Sequence, residues 1–250
     1  MEFTEFEEKN VLVSGAASGI GYAQMVAFLE QGATVFGVDK KRLEDDKYVF
    51  LKREFDEQFT FLQADVSDFE EVSALHERVG AIDILLNTVG KLDAYKKTLD
   101  LDILEWNDFF TTNVTSMFLM TNEFLPSMIL KKQGVVLNMA SIAGLVAGGG
   151  GAAYTMSKHA IIGYTKQLAL DYAEAGIQVV GVAPGAIDTP MNAADFEGDG
   201  EMAKWVASET PVKRWGEAKE VAELSLFLAS SHARYLQGTI VPIDGGWTLK

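Results

Sequence analysis

The sequence contains no cysteine and only three histidines among its 250 residues. Without cysteine, the chain can form no disulfide, no thiolate nucleophile and no cysteine-ligated zinc site. His76, His159 and His232 lie far apart and lack the spacing of a metal-binding pair. The sequence therefore predicts no metal site.

Long apolar runs and a surplus of basic residues are also missing. No stretch reaches the ~18 unbroken apolar residues of a membrane span, and the acidic residues 1–8 do not resemble a secretory signal. The formal net charge of −15 repels phosphate backbones and anionic lipid. We expect a cytoplasmic enzyme that acts on a small molecule and has no nucleic-acid or membrane partner.

Short apolar runs alternate with longer amphipathic segments along the chain. The runs are continuous, as in buried parallel strands, and the longer segments have helical character. This alternation predicts an α/β fold with one domain over residues 1–250, a doubly wound, mainly parallel seven-stranded sheet with helices on both faces. The predicted strands are 10–14, 34–39, 59–64, 82–87, 135–139, 178–183 and 239–243, and the predicted helices are 20–31, 68–79, 103–130, 153–174 and 217–230.

Some local features refine this outline. Ser67 with Glu70 has the spacing of a capping box. Pro126 is expected to kink or end its helix. Segment 40–58 favours a weakly periodic helix, and the acidic, glycine-containing segment 188–210 predicts a mobile flap over the substrate.

A glycine-rich segment follows the first predicted strand and opens the first predicted helix. Its glycines permit a tight turn and a close approach of backbone N–H groups to a pyrophosphate, which the helix N-terminus also attracts. Ordinary βα turns share this pattern, so on this segment alone both interpretations stay open. The candidate dinucleotide contacts here are Gly15, Ser18, Gly19, Ile20 and Gly21.

The second predicted strand ends in Asp39, which bears on the choice of cofactor. A carboxylate there can accept both ribose hydroxyls of an adenosine and would repel a 2′-phosphate. Ser18 points the same way, since the glycine-rich segment holds no Arg or Lys. The cluster Lys40, Lys41 and Arg42 offers cations to a 2′-phosphate, although the start of a solvated helix accounts for it better. We expect NAD(H) as the preferred cofactor, with NADP(H) as the open alternative.

Tyr154 and Lys158 stand at i and i+4 on one face of a predicted helix. Use of a tyrosine near neutral pH requires its pKa to fall by roughly 3 units, or about 4 kcal/mol. A neighbouring ammonium and a cationic nicotinamide ring are expected to supply that lowering. Ser141 follows a strand at the sheet edge where such folds bind ligands. With Asn113, these residues form a candidate catalytic set.

These residues and their spacing resemble the short-chain dehydrogenase/reductase family along the whole chain. Asn113, Ser141, Tyr154 and Lys158 are similar to its catalytic tetrad in order and spacing. The resemblance implies a Rossmann fold, a nicotinamide cofactor and a homo-oligomer, usually a tetramer. Beyond the glycine-rich segment and Asp39, the implied cofactor contacts are Asp65, Val66, Asn87, Gly90, Tyr154, Lys158, Pro184, Gly185, Ile187 and Thr189.

The resemblance also implies a role for each catalytic residue. Tyr154 exchanges a proton with the substrate oxygen, and Ser141 hydrogen-bonds that oxygen. Lys158 lowers the tyrosine pKa and binds the nicotinamide ribose, while Asn113 anchors a water that connects the lysine to solvent. Ile187 and Thr189 orient the nicotinamide ring.

Two stretches depart from the family pattern. An Asn-Asn-Ala-Gly segment appears here as residues 87–90, Asn-Thr-Val-Gly, which puts contacts near the adenine ribose in doubt. The four glycines at 148–151 lie between Ser141 and Tyr154. They favour either a plain flexible loop or a wall without side chains that admits a bulky substrate.

The substrate stays open. Segment 210–231 is most similar to 3-oxoacyl-thioester reductases of acyl carrier proteins, and Lys131 and Lys132 would suit an acidic carrier. The acidic residues at 171–174 and in 188–210 argue against one. Polyols, small diols, hydroxysteroids and hydroxyacyl compounds are alternatives, as is a non-catalytic dinucleotide-binding regulator. Flap residues that would line an apolar pocket, or else only pack, are Met191, Phe196, Met202 and Trp205.

Overall fold

A seven-stranded parallel sheet forms the centre of the computed structural model, which describes residues 3–250. Its spatial order is β3-β2-β1-β4-β5-β6-β9. Two further short strands, β7 and β8, pair with each other. The strands are β1 Asn10–Ser14, β2 Thr34–Asp39, β3 Phe59–Gln63, β4 Ile84–Asn87, β5 Gly134–Met139, β6 Ile177–Pro184, β7 Ile187–Asp188, β8 Gly216–Glu217 and β9 Ile240–Ile243.

Helices cover both faces of this sheet. Helices α1 and α8 pack together on one face and α3 and α5 on the other, and an apolar core fills each interface. No helix among residues 3–250 combines the length and the hydrophobicity needed to cross a membrane. The helices are α1 Gly19–Glu30, α2 Asp45–Phe55, α3 Phe69–Val79, α4 Ile103–Phe110, α5 Ser116–Lys131, α6 Ala152–Tyr172, α7 Glu201–Glu209 and α8 Ala218–Ala229.

Parallel register aligns the strand ends along one edge of the sheet. Ser14 lies opposite Asn87, Asn87 opposite Asn138, and Met139 opposite Val182. The segments that follow β1, β4, β5 and β6 therefore leave the sheet side by side. The point at which the strand order reverses, between β1 and β4, is where doubly wound sheets bind ligands.

The predicted doubly wound α/β fold is confirmed, and each predicted strand of the main sheet lies within two residues of an observed one. The weakly periodic segment 40–58 contains α2. Segment 188–210 is largely helical, with a 3-10 segment Pro190–Phe196 followed by α7.

The structure adds detail to two local predictions and corrects a third. The predicted helix 103–130 is helical throughout, and it contains a π-helical turn at Thr111–Thr115. Pro126 does not end its helix, since α5 continues to Lys131. The N-cap of α3 is Asp68, whose carboxylate accepts hydrogen bonds from two backbone N–H groups of the first turn, so the predicted capping box of Ser67 and Glu70 is wrong. Ser67 instead hydrogen-bonds to Asp65.

Candidate active site

A cavity of about 580 Å³ opens at the carboxyl edge of the sheet. It runs from the glycine-rich segment after β1, past the ends of β4 and β5, to α7. Most of the site residues expected from sequence line it, whereas Asn87 and Asn113 do not. The expected residues on its wall are Gly15, Ser18, Gly19, Ile20, Gly21, Asp39, Asp65, Val66, Gly90, Ser141, Tyr154, Lys158, Pro184, Gly185, Ile187 and Thr189.

The glycine-rich segment forms a cradle that side chains would fill. Gly15 and Gly19 have φ angles of +75° and +55°, in the left-handed region that disfavours other residues. A Cβ on Gly21 would overlap the carbonyl oxygen of Gly15, and one on Gly19 would lie 3.3 Å from the Thr189 side chain. Ser18, the N-cap of α1, makes no side-chain capping hydrogen bond. Backbone N–H groups at this helix start are therefore free to hold a phosphate.

The end of the cavity beside the carboxyl terminus of β2 is polar. One carboxylate oxygen of Asp39 accepts a hydrogen bond from the N–H of Ala17 (3.2 Å) and the other from the N–H of Lys41 (2.9 Å). These bonds fix the carboxylate at the end of β2. Lys40 and Lys41 also line this end. Although burial raises the pKa of Asp65, hydrogen bonds from Ser67 bring it below its usual value.

Lys158 lies beneath the ring of Tyr154. Its Nζ donates a hydrogen bond to the carbonyl oxygen of Met139 (2.8 Å) and stands 5.6 Å from the centroid of the Tyr154 ring. Burial lowers the pKa of Lys158 to about 8. The ammonium therefore loses its proton close to the pH range in which enzymes work.

Tyr154 and Ser141 are both buried and line the cavity together. Burial raises the pKa of Tyr154, the neighbouring Ser141 hydroxyl opposes that rise, and the nearby Tyr95 and Asp93 add to it. The net direction is upward in the protein alone, where the Lys158 ammonium is directed at Met139 and is itself desolvated. The expected lowering also requires a cationic nicotinamide ring beside the tyrosine, so it stays a prediction for the protein with its cofactor.

Asn113 lies in the π-helical turn, fully buried behind the cavity wall. Its amide donates to Ser157 Oγ (3.0 Å) and to the carbonyl of Lys91 (3.1 Å), and its oxygen accepts from the N–H of Lys91 (2.9 Å). Asn113 thereby ties α6 to the segment that follows β4. A Cβ on Gly90 would lie 3.5 Å from Lys158 Nζ, which places that segment beside the lysine.

Asn87 is buried within the sheet. Its amide donates to Thr121 Oγ1 (3.2 Å) and Asn138 Oδ1 (3.0 Å), and its own oxygen has no hydrogen-bond partner among the described residues. The next two residues, Thr88 and Val89, line the cavity in its place. The altered segment 87–90 thus contributes to the site mainly through residues that sequence reasoning did not select.

Asp93 is a further site residue that sequence reasoning missed. Helix α6 has no cap from its own N-terminal residues, and the buried carboxylate of Asp93 supplies one. It accepts hydrogen bonds from the N–H groups of Gly151 (2.7 Å) and Tyr154 (2.9 Å). No local pattern reveals this contact, because Asp93 is 58 residues before Gly151 in the chain.

We expect Asp93→Ala to lower the free energy of unfolding by about 2 kcal/mol, because two N–H groups at a buried helix start lose their acceptor. Urea denaturation followed by circular dichroism measures the change. Asp100→Ala, at an exposed carboxylate nearby, is the matched control and should shift stability by less than about 0.5 kcal/mol. Equal stability of the two variants would refute this capping role.

Two non-glycine residues after Asp93 adopt left-handed conformations. Ala94 has φ +49° and Tyr95 has φ +58°. The turn is closed by a hydrogen bond from the N–H of Lys96 to the carbonyl of Asp93 (3.2 Å), and Lys96 forms an ion pair with Glu105. Such strain persists where surrounding contacts enforce it, often at functional sites. Here the turn places Tyr95 on the cavity wall.

The glycine run 148–151 divides into two functions. A Cβ on Gly150 would overlap the ring of Tyr154, and one on Gly151 would lie 2.6 Å from Asp93 Oδ2. These two glycines permit close packing against Tyr154 and the helix cap Asp93. Gly148 and Gly149 line the cavity, and a Cβ on Gly148 would meet open space. Only this half of the run leaves room for a substrate.

Aromatic side chains close the end of the cavity opposite Asp39. Trp205 of α7 meets Trp247 edge to face, with ring centroids 6.4 Å apart and an interplanar angle of 78°. Trp215 donates its indole N–H to the carbonyl of Ala203 (2.9 Å) and packs on Phe196. Of the four flap residues considered from sequence, Met191, Met202 and Trp205 line the cavity and Phe196 packs behind Trp215.

Comparison with known proteins places the chain in a family. The family model described as enoyl-(acyl carrier protein) reductase matches residues 15–248. Levodione reductase of Leifsonia aquatica is 34% identical over 254 residues, covering 97% of this chain and 95% of the relative. Dehydrogenase/reductase SDR family member 6 of Danio rerio is 36% identical over 248 residues, covering 96% and 98%.

Two further matches agree. 3-oxoacyl-[acyl-carrier-protein] reductase FabG of Vibrio harveyi is 33% identical over 244 residues, covering 96% of this chain and 97% of the relative. The crystal structure of levodione reductase matches with a TM-score of 0.91 at 34% identity, covering 98% of this chain and 99% of that chain. The chain therefore belongs to the short-chain dehydrogenase/reductase family, whose members here are oxidoreductases acting on CH–OH groups.

Proposed function

We propose that the protein is an NAD(H)-dependent oxidoreductase that interconverts a secondary alcohol and its ketone. The observation that carries this proposal is that Ser141, Tyr154 and Lys158 share one cavity with the glycine-rich segment 15–21. That segment fits a dinucleotide, because its glycines leave a cradle a Cβ would fill and α1 presents free N–H groups. When bound there, a nicotinamide dinucleotide supplies or accepts the hydride.

Each side chain then has a task on the substrate. During reduction Tyr154 gives a proton to the carbonyl oxygen, and during oxidation it takes the proton back. Ser141, beside Tyr154 on the cavity wall, holds that oxygen in place. Lys158, fixed by the carbonyl of Met139, binds the nicotinamide ribose. We propose that Asn113 anchors a water between Lys158 and solvent, and that Ile187 and Thr189 orient the nicotinamide ring.

Preference for NAD(H) rests on Asp39. Its carboxylate is held by two backbone N–H groups at the end of β2, where it can accept the ribose hydroxyls and would repel a 2′-phosphate. Lys40 and Lys41 line the same end and would favour the phosphate. We give Asp39 the greater weight, because its position is fixed by hydrogen bonds whereas Lys41 is exposed.

Titration with NADH and NADPH, followed by nicotinamide fluorescence, tests this preference. We expect NADH to bind at least tenfold more tightly, and Asp39→Ala to reduce the ratio of the two affinities because it removes the repulsion of the 2′-phosphate. Asp46→Ala, at an exposed carboxylate on α2, is the control and should leave the ratio unchanged. Tighter binding of NADPH by the wild type would assign selection to Lys40 and Lys41.

We also propose a domain organisation, a cellular location and an oligomeric state. We infer a single domain over residues 1–250 with a flap at 188–210, acting in the cytoplasm as a homotetramer. Exposed apolar side chains on α4 and α5, namely Ile103, Leu104 and Phe118, support association between copies. A non-catalytic regulator would have no need of the Ser141, Tyr154 and Lys158 arrangement, so this arrangement favours an enzyme.

A 3-oxoacyl thioester, the second candidate substrate, draws support from the similarity to FabG of Vibrio harveyi. Polyols, diols and hydroxysteroids are the other candidates. The walls of the cavity beyond Tyr154 discriminate among these chemical classes.

A further inference from the structure

The half of the cavity beyond Tyr154 is the part lined by Tyr95, Met191, Met202, Trp205 and Trp247. It carries no charged side chain among the described lining residues. The charged groups of the wall all lie elsewhere. Asp39, Lys40, Lys41 and Asp65 surround the cofactor end, Lys91 follows Gly90, and Lys158 lies beneath Tyr154. An anionic group on the substrate would therefore enter this half without a counter-ion, at a large desolvation cost.

Hydrogen-bonding capacity in this half is also limited. The Trp215 indole N–H is already bonded to Ala203, and the Asn192 amide donates to the carbonyl of Ile187 (2.8 Å). Apart from Ser141 and Tyr154, Tyr95 is the main hydroxyl on this part of the wall. A polyol would bury several hydroxyls here with too few partners, each loss costing free energy.

Apolar surface is abundant at the same place. Met191, Met202 and Trp205 line the cavity yet stay 46%, 53% and 54% exposed. Trp205 and Trp247 stand nearly perpendicular and form a two-sided aromatic corner. Exposed apolar patches of this kind, continuous with a catalytic site, are typical of ligand contact.

The segment that supplies Met191 and Met202 to the cavity wall is acidic. It also holds Asp195, Glu197, Asp199 and Glu201. The net charge of −15 adds to their field. These charges disfavour an anionic substrate group beside this segment of the wall.

We propose that the substrate is a neutral, largely apolar cyclic ketone or secondary alcohol. Its ring packs into the corner of Trp205 and Trp247, and its oxygen reaches Ser141 and Tyr154. A rigid ring suits this corner better than a chain, because fewer rotatable bonds are immobilised on binding. This inference rests on the proposed oxidoreductase function and selects the substrate class within it.

A matched pair of ketones tests whether the protein prefers a neutral substrate to an anionic one. The wild type with NADH, or NADPH if that binds better, is assayed on methyl 4-oxocyclohexanecarboxylate and on the free 4-oxocyclohexanecarboxylate at pH 7. We expect kcat/KM to be at least tenfold higher for the neutral ester than for the carboxylate. We also expect it to be higher for the ester than for acetoacetyl-coenzyme A, or than for sorbitol oxidised with the corresponding oxidised cofactor. Equal or better use of the carboxylate, the thioester or sorbitol overturns the inference.

Variants locate the site of ring contact. Trp205→Ala should raise KM for the bicyclic ketone 2-decalone about tenfold with little change in kcat, and Trp247→Ala should do the same. Tyr235→Ala, which removes a fully exposed aromatic ring outside the cavity, is the matched control and should leave KM unchanged. An unchanged KM in both tryptophan variants, with circular dichroism like that of the wild type, overturns the inference.

A binding measurement distinguishes a wrong substrate class from a wrong oxidoreductase function. Calorimetry of 2-decalone with Tyr154→Phe in the presence of reduced cofactor requires no turnover. Binding of cofactor and decalone together supports the inference. Cofactor binding without decalone binding overturns the substrate class alone, whereas failure of both cofactors to bind the wild type overturns the proposed function.

Discussion

Tyr154→Phe should lower kcat about 10³-fold, because it removes the phenolic proton of the group that we propose as general acid–base. The ring remains, so its packing against Gly150 and Lys158 is retained. We therefore expect the affinity for the reduced cofactor to stay within about twofold of wild type. This combination distinguishes a chemical role of the hydroxyl from a structural one.

Steady-state kinetics on the neutral ketone and fluorescence titration with cofactor provide the two readouts. Tyr172→Phe removes a hydroxyl from the same helix, outside the cavity, and should leave both readouts unchanged. If Tyr154→Phe retained more than a tenth of the wild-type kcat, another group would have to be the proton donor. An inactive wild type that still binds the cofactor would instead favour the regulator hypothesis.

Lys158→Met should increase stability while it removes activity. The folded protein holds the pKa of Lys158 at about 8, below the ordinary value of 10.5, so the charged ammonium costs about 3 kcal/mol in the fold. Methionine removes that cost but forfeits the hydrogen bond to Met139, worth about 1 kcal/mol. At pH 7 the net gain in the free energy of unfolding is about 2 kcal/mol.

The gain should depend on pH in a defined direction. Between pH 8 and 10.5 the unfolded chain binds more protons at Lys158 than the folded chain, so wild-type stability rises with pH in that window. The advantage of Lys158→Met is therefore fully present below pH 8 and shrinks towards pH 10.5. Urea denaturation at pH 7 and pH 10 measures it.

Lys166→Met, at an exposed lysine on the same helix, provides the control and should change stability little at either pH. A destabilised Lys158→Met variant at pH 7 would contradict the assigned cost of the buried ammonium. So would a gain of equal size at pH 7 and pH 10.

Much of this site was predictable because its signals are local in sequence. The glycines of segment 15–21 follow β1 directly, and Tyr154 and Lys158 are one helical turn apart. Parallel strands then bring Ser141, Asp39 and Pro184 to the same edge, since the carboxyl ends of all main strands point one way. Periodicity and strand order are enough for these assignments.

The remaining features depend on distant contacts. Nothing in the residues around Asp93 indicates that it caps α6, and nothing around Trp247 indicates that it meets Trp205. The direction of the Lys158 ammonium was not predictable either, because helical spacing places a lysine near the tyrosine without showing that its Nζ donates to the carbonyl of Met139. Capping at α3 was misassigned by one residue, since Ser67 and Asp68 are both good N-caps.

The π-helical turn at Thr111–Thr115 has a consequence for how this chain tolerates insertions and deletions. Such a turn accommodates one more residue than an α-helical turn, and removing one would let α4 and α5 join in a continuous α-helix. Each residue of an α-helix turns the direction of its side chains by about 100°. Asn113 would then swing away from Ser157 and Lys91, with every side chain of the site unchanged in identity. At this point the length of the segment, as much as its composition, determines whether the site forms.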